Sequence, residues 1–368
     1  MTATIEVAPP SADALAERLY LSMVGTLELF CLYVGDQLGF YRALHESGAA
    51  TAPELAARAG TTERYTREWL EQQACAGILT CSNAEQSPAA RRFALPEEYA
   101  PLFVDPDSLS ACAPMAQFAA GVAAPLHQLL EAFRTGAGVP YATYGRDLHE
   151  GQAGFTRPLL VNQLAQEWVP ALPEVAARLQ ADPPAHVADI GMGQGWSSIA
   201  LARAFPKVRV DGFDLDEASV QAARRNAAMA GVADRVTFHV RDAGDPALAG
   251  HYDFALAVEC IHDMSDPVSV LAAMRRLVGQ DGTVLIVDER VPDAFAPDGD
   301  EVERMMYGFS VLHCLPVGMV EQPSAETGTV MRRATFAHYA EAAGFASVTE
   351  IPIENAFYRF YRLSQAAG

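Results

Sequence analysis

Lysine is nearly missing from this chain: of its 26 basic residues all but Lys207 are arginine. Set against 46 acidic residues, they leave a formal net charge of −20, the wrong sign for gripping a phosphate backbone without a strongly basic local patch. No nucleic-acid partner is expected. Long apolar runs are also missing, since no window approaches the roughly 18 consecutive apolar residues that span a bilayer. The longest candidate, Leu21 to Gly35, contains Glu28 and reads as a buried helix, so no membrane partner is expected. The start, MTATIEVAPPS, has neither a basic nor an apolar signal region, which gives a cytoplasmic expectation. Cys31, Cys75, Cys81, Cys112, Cys260 and Cys314 form no CxxC pair and have no histidine at metal-ligand spacing. No metal site is expected, and the thiols read as small buried hydrophobes in a reducing compartment.

What is present is a large apolar share. Half of the 368 residues are hydrophobic and 20% are charged, enough for two or three domains with real cores. Residues 1–12 are small, polar and proline-containing, and read as a disordered N-terminus. Residues 13–110 begin with apolar positions at helical spacing as far as Gly48. Then Thr51, with Pro53 and Glu54 in the first turn, opens a short helix that Gly60 ends; Thr61 or Thr62 opens another that stops at Gly77. Two short helices about a glycine turn make a helix-turn-helix, and residues 78–96 supply a small hairpin wing. Three arginines (Arg58, Arg64, Arg67) face four glutamates (Glu54, Glu63, Glu68, Glu71) in this module, so packing or dimerisation suits it better than DNA binding. Residues 111–182 are a helical linker or pocket region, interrupted by GAGVPYATYG.

After Pro183-Pro184 the pattern changes to short β-branched runs alternating with amphipathic helices, as in a doubly wound parallel sheet. The first run ends in Asp189-Ile190-Gly191-Met192-Gly193-Gln194-Gly195-Trp196 and a helix follows. A dinucleotide GxGxxG fails because Trp196 stands at the third glycine position; the pattern is DxGxGxG. Asp214 ends the second run, where a carboxylate can accept from both hydroxyls of a ribose, and Asp242 ends the third, placed to meet an adenine amino group.

This constellation over 183–368 resembles the class I S-adenosylmethionine-dependent methyltransferases. The resemblance implies an α/β, Rossmann-like domain with a seven-stranded, mostly parallel sheet, preceded by an all-α winged-helix domain. It implies that Asp189, Gly191, Gly193 and Gly195 hold the methionine part of S-adenosylmethionine, that Asp214 and Leu215 hold the ribose, and that Asp242, Ala243 and Glu259 complete the nucleoside site. S-adenosylhomocysteine is then the product. As a whole chain it is similar to small-molecule O-methyltransferases of plants and bacterial secondary metabolism, in which the winged-helix module dimerises. A homodimer acting on a small-molecule substrate is the implied state.

Glu259-Cys260-Ile261-His262-Asp263-Met264 follows the fourth run and resembles the HDW segment of plant-type enzymes, whose histidine is a general base. With an ordinary pKa of about 6.5, His262 would be largely neutral at pH 7 and able to take a proton. Asp288, ending the fifth run, matches the place of the glutamate that orients that histidine. Met264 departs from the family tryptophan, and a second family glutamate has no counterpart around Val330 to Arg333. Residues 292–333 are too long for an ordinary connection and read as a lid, with Tyr307, Phe309 and His313 as candidate contacts to an apolar acceptor. Two other readings share the same residues: a cofactor-sensing transcriptional regulator, or an enzyme of this fold that catalyses a reaction other than methylation.

Overall fold

The computed structural model describes residues 10–365. The chain separates into two compact units, Met1–Gly121 with Arg146–Pro158, and Val122–Gly145 with Leu159–Gly368. Most of the N-terminal stretch expected to be disordered, residues 1–9, lies outside the described residues.

The first unit opens with α1 (Ala12–Gln37), whose first turn is capped by Ser11. Next come α2 (Phe40–Ser47), α3 (Ala52–Ala59) and α4 (Glu63–Cys75). Thr51 and Glu54 form a reciprocal capping box at the start of α3, and Gly60, left-handed at φ 67°, ends it. The wing is an antiparallel pair, β1 (Thr80–Cys81) and β2 (Phe93–Ala94). Phe40, Tyr41, Leu44, Leu55, Trp69, Leu70 and Phe93 fill the core. The C-terminal end of α1 joins that core through Trp69. The indole N–H donates to the Cys31 carbonyl at 2.8 Å, and a Cβ on Gly35 would lie 2.2 Å from the ring.

The rest of α1 corrects one expectation. Leu19, Leu21, Met23 and Leu27 are 57–61% exposed, so the segment read as a buried helix is mostly uncovered in the single chain. Helical periodicity marks an apolar face without saying which chain covers it. α1 is also long and apolar enough to cross a membrane by length and composition; its scattered charges break the run of apolar residues without making the helix polar on average.

The second unit is built on one seven-stranded sheet: β3 (His186–Ile190), β4 (Arg209–Asp214), β5 (Val236–Val240), β6 (Phe254–Val258), β7 (Thr283–Glu289), β8 (Ser347–Ile351) and β9 (Tyr358–Ser364). Their order is β5-β4-β3-β6-β7-β9-β8. β3 through β7 run parallel, and β9 enters antiparallel between β7 and β8. Helices cover both faces, so the central strands are apolar on both sides and β7 is buried from Thr283 to Asp288. Trp168, Ile199, Phe238 and Phe254 lie in one core layer; Phe213, Leu271, Met274 and Phe336 lie in the other. The chain runs from β3 outward to β4 and β5, then returns to β6 on the other side of β3. Such a reversal opens a crevice at the carboxyl ends of the strands.

Within 292–333 a helix runs Glu301–Phe309, continues through the wider π-helical turn Ser310–Cys314, and ends at Leu315–Gly318. Arg332 ties the two ends of this insertion together. Its guanidinium donates to the Pro292 carbonyl and, at 3.0 Å, to the Tyr307 hydroxyl.

Candidate functional site

The parallel strands deliver their C-terminal residues to one edge, and the side chains singled out in the sequence collect there in two groups. The first surrounds the glycine turn after β3. Gly191, Gly193 and Gly195 all have left-handed backbones, at φ 62°, 52° and 80°, which side chains other than glycine rarely tolerate. The turn is packed from beneath, because a Cβ on Gly191 would lie 2.7 Å from the Cys260 sulfur and one on Gly195 would lie 2.7 Å from Phe238. Above Gly193 there is open space. Its N–H donates to Asp214 Oδ2 and the N–H of Asp216 donates to Oδ1, both at 2.9 Å. Asp214 is thereby fixed beside the opening with lone pairs still to offer, as a ribose diol requires. Burial raises its pKa, and those backbone donors partly offset the shift.

The other members of this group divide. Asp189, 1% exposed, accepts from the Ser197 and Ser198 hydroxyls at 2.5 and 2.6 Å, and burial pushes its carboxyl up to about 6. It ties the glycine turn to the following helix. Asp242 is exposed and uses one oxygen to accept the Gly244 N–H at 2.8 Å, while Ala243 is buried beside it. Leu215 is 65% exposed next to Asp214. Trp196 packs against the core layer beneath its helix.

The second group forms around His262, which is 2% exposed on the short helical turn after β6. Its Nδ1 lies 2.7 Å from Asp288 Oδ1 and 2.8 Å from Glu289 Oε2; its Nε2 lies 3.1 Å from Asp263 Oδ1. Burial alone would discharge the ring. The carboxylates of Glu289, Asp288 and Asp263 outweigh that and hold its pKa well above the usual value. The surrounding carboxylates thus favour the protonated ring, where the sequence alone suggested an ordinary histidine. In return, and against their own burial, Asp263 and Asp288 stay below the usual carboxylate range. Burial drives Glu289 well above it. Glu259, left-handed at φ 53°, accepts from the Tyr358 hydroxyl, and burial raises its carboxyl to about 7.

The lid candidates fall apart in space. His313 is buried, meets the edge of the Tyr144 ring at 4.8 Å and lies 3.4 Å from the Cys314 sulfur through Nδ1, so it belongs to the His262 group. Tyr307 is held by Arg332 at the base of the insertion, and Phe309 is half-buried on the same helix. Glu289 was not foreseen, because strand alternation sends successive side chains to opposite faces; β7 ends at this residue, and both carboxylates turn onto the ring. Cys314, another unforeseen neighbour, lies within reach of His262 and Asp263, and burial pushes its thiol up to about 12.

Comparison with known proteins agrees with this fold. Residues 187–282 match the model of a methyltransferase domain, and residues 26–104 match that of an Rv2258c-like winged helix-turn-helix domain. An O-methyltransferase from Pyrenophora dematioidea is 26% identical over 156 residues, 42% of this chain and 58% of that protein. The chain spans less than two thirds of the length of the first curated relatives it matches. Among solved structures, the mitomycin 7-O-methyltransferase MmcR superposes with a TM-score of 0.68 at 21% identity, over 96% of this chain and 99% of that one. PigF, solved with S-adenosylhomocysteine, gives 0.66 at 18% identity over 97% and 100%. The fold is that of the class I methyltransferases, carried behind a winged-helix domain.

Proposed function

We propose that this chain is a cytoplasmic, homodimeric enzyme that moves a methyl group from S-adenosylmethionine to the oxygen or carbon of a small, largely apolar metabolite in bacterial secondary metabolism. The observation that carries the reading is one shared edge, on which a glycine turn with open space above Gly193 and a fixed Asp214 carboxylate stand at strand ends neighbouring the His262–Asp288 pair. When bound, the cofactor supplies an electrophilic methyl on a sulfonium. The residues that would hold it are Gly191, Gly193 and Gly195 by close backbone approach, Asp214 at the ribose, and Asp242 with Ala243 at the adenine. Asp189 holds the turn in shape from below. Displacement at a methyl needs alignment and exclusion of water, which a buried edge provides.

His262 is the proton acceptor in this reading, and Asp288 at 2.7 Å orients the ring through Nδ1. Because the surrounding carboxylates favour the protonated ring, the ring serves as acceptor in its deprotonated form, at pH above the ordinary histidine range. Asp263 and Asp288, both held below the usual carboxylate range, stabilise its charged form and set the pH at which it becomes available.

Calorimetry with S-adenosylhomocysteine tests the cofactor half of the proposal. The parent protein should bind it, and Asp214→Ala should bind at least tenfold more weakly, as expected when bonds to a charged group worth about 1.5–3 kcal/mol are lost. No binding by the parent, or equal affinity in the variant, overturns the assignment.

A further inference from the structure

The stretch 259–262 both floors the glycine turn and carries the imidazole, and one backbone angle arranges the two. The Glu259 N–H donates to the Val287 carbonyl at 2.8 Å, so the ladder between β6 and β7 runs one residue past the end of β6. There the chain turns, with Glu259 left-handed at φ 53°. Cys260 leads into the short helical turn Ile261–Asp263, and its thiol donates to the Ile190 carbonyl at 3.3 Å. The sulfur thereby lies under the glycine turn, where a Cβ on Gly191 would stand 2.7 Å from it. Just beyond, His262 Nδ1 reaches Asp288 at 2.7 Å. Glycine adopts a left-handed backbone at no steric cost, whereas glutamate does so only when something else holds it there. The Glu259 side chain supplies that hold, because its Oε1 accepts from the Tyr358 hydroxyl. Tyr358 is a fixed post. Its ring is buried and meets Trp168 edge to face at 6.3 Å, its N–H donates to Asn355 Oδ1 at 3.0 Å, and it stands opposite Glu289 in the β7–β9 ladder.

We propose that Glu259 is a positioning residue that acts through Tyr358: their bond holds the left-handed kink that seats Cys260 under the cofactor turn and aims His262 at Asp288. The task of the carboxyl is to accept one hydrogen bond, and an uncharged oxygen of the same reach can replace it. Freed of the bond, the backbone at 259 relaxes out of the left-handed region. Cys260 then leaves its place beneath Gly191, and the turn that would grip the methionine part loses its floor. This inference rests on the reading of the glycine turn as the cofactor seat.

Calorimetry with S-adenosylhomocysteine compares full-length Glu259→Gln, Glu259→Gly and Glu259→Ala with the parent. Glu259→Gln keeps an amide oxygen for the Tyr358 hydroxyl and should bind as the parent does. Glu259→Ala loses the bond and resists the left-handed backbone, so its affinity should fall about tenfold. Glu259→Gly loses the bond but keeps the backbone, and its loss should stay below about threefold. That order separates a conformational role from simple packing, in which the smaller side chain does more harm. Alkylation of Cys260 by iodoacetamide, followed by peptide mass, is a readout that needs no ligand. It should be slow in the parent and in Glu259→Gln, and about fivefold or more faster in Glu259→Ala as local opening exposes the thiol. Where Glu259→Ala does not fold, Tyr358→Phe removes the same bond from the other side and takes its place in both measurements. A Glu259→Gln protein as weak as Glu259→Ala, a Glu259→Gly protein weaker than Glu259→Ala, or one Cys260 rate throughout the series overturns the proposal while the cofactor assignment stands. A parent protein that binds no S-adenosylhomocysteine overturns the cofactor assignment, and the Cys260 rates then decide the kink by themselves.

Discussion

At the scale of single residues, His262 sets the most exposed prediction. A ring between three carboxylates releases its proton only at a pH above the ordinary histidine value, so a base mechanism predicts activity that falls as pH drops through that raised value. The acid limb of the turnover profile should therefore stand well above about pH 6.5. His262→Ala should reduce turnover by about 100-fold with little change in cofactor affinity. Asp288→Asn removes one negative charge from Nδ1, lowers the ring's pKa, and should shift the acid limb to lower pH with a smaller loss of rate. Steady-state rates from pH 5 to 9 decide this. A flat profile with near-parental turnover in His262→Ala would mean that alignment alone drives the reaction. The glycine turn and the strand-end aspartates were legible from spacing because both depend on local backbone position. The ring's charge was not, since Glu289 and Asp263 reach it through a strand end and a helical turn whose geometry no sequence period encodes. The seat of GVPYATYG was hidden for a related reason: the segment breaks the helical pattern, and its Val139 docks on Pro316, more than 170 positions further on.

Elements show the same division between local and distant causes. The capping box at Thr51 and the left-handed Gly60 are written into the residues that make them, so α3 was placed with both ends. The strands from β3 to β9 were each visible as short β-branched or aromatic runs, and the parallel order of β3 to β7 follows from the helices between them. Gly35 carries a less visible instruction. A methyl there would overlap the Trp69 ring at 2.2 Å, so α1 could not keep its seat on α4. Gly35→Ala should destabilise the first unit by about 1–3 kcal/mol, the usual cost of overpacking, outweighing the gain in helix propensity of about 1 kcal/mol. Urea unfolding followed by tryptophan fluorescence measures it; a variant as stable as the parent would show that α1 can shift at little cost. An apolar helix read as buried was a sound inference about composition and a wrong one about this chain's own core.

For the whole molecule, charge and apolar surface decide the partners. The arginines of the helix-turn-helix and its wing are spent within the module: Arg64 lies 2.5 Å from Glu68, Arg67 3.6 Å from Glu63 and the wing's Arg91 2.5 Å from Glu71, while Arg58 donates to the Gly48 carbonyl at 3.2 Å. With a net charge of −20, counterion release gives such a surface little affinity for duplex DNA. A gel shift at physiological salt should show no retardation, and a specific, salt-sensitive complex at nanomolar protein would favour the regulator reading. The uncovered face of α1 calls for another explanation. Leu15, Leu19, Met23 and Leu27 recur every four residues along one exposed face of a helix whose C-terminal half is anchored through Cys31, Tyr33 and Gly35, and a contiguous apolar face of this kind seldom meets water in a stable monomer. A second copy can cover it with the same face, which is the self-complementary arrangement of a two-fold dimer. Light scattering should then give a dimer mass at micromolar concentration. Leu19→Asp with Leu27→Asp should shift the population towards monomer by placing unpaired charge in the interface. A parent protein that stays monomeric at every concentration, or that sediments with lipid vesicles through α1, would assign this helix a different partner.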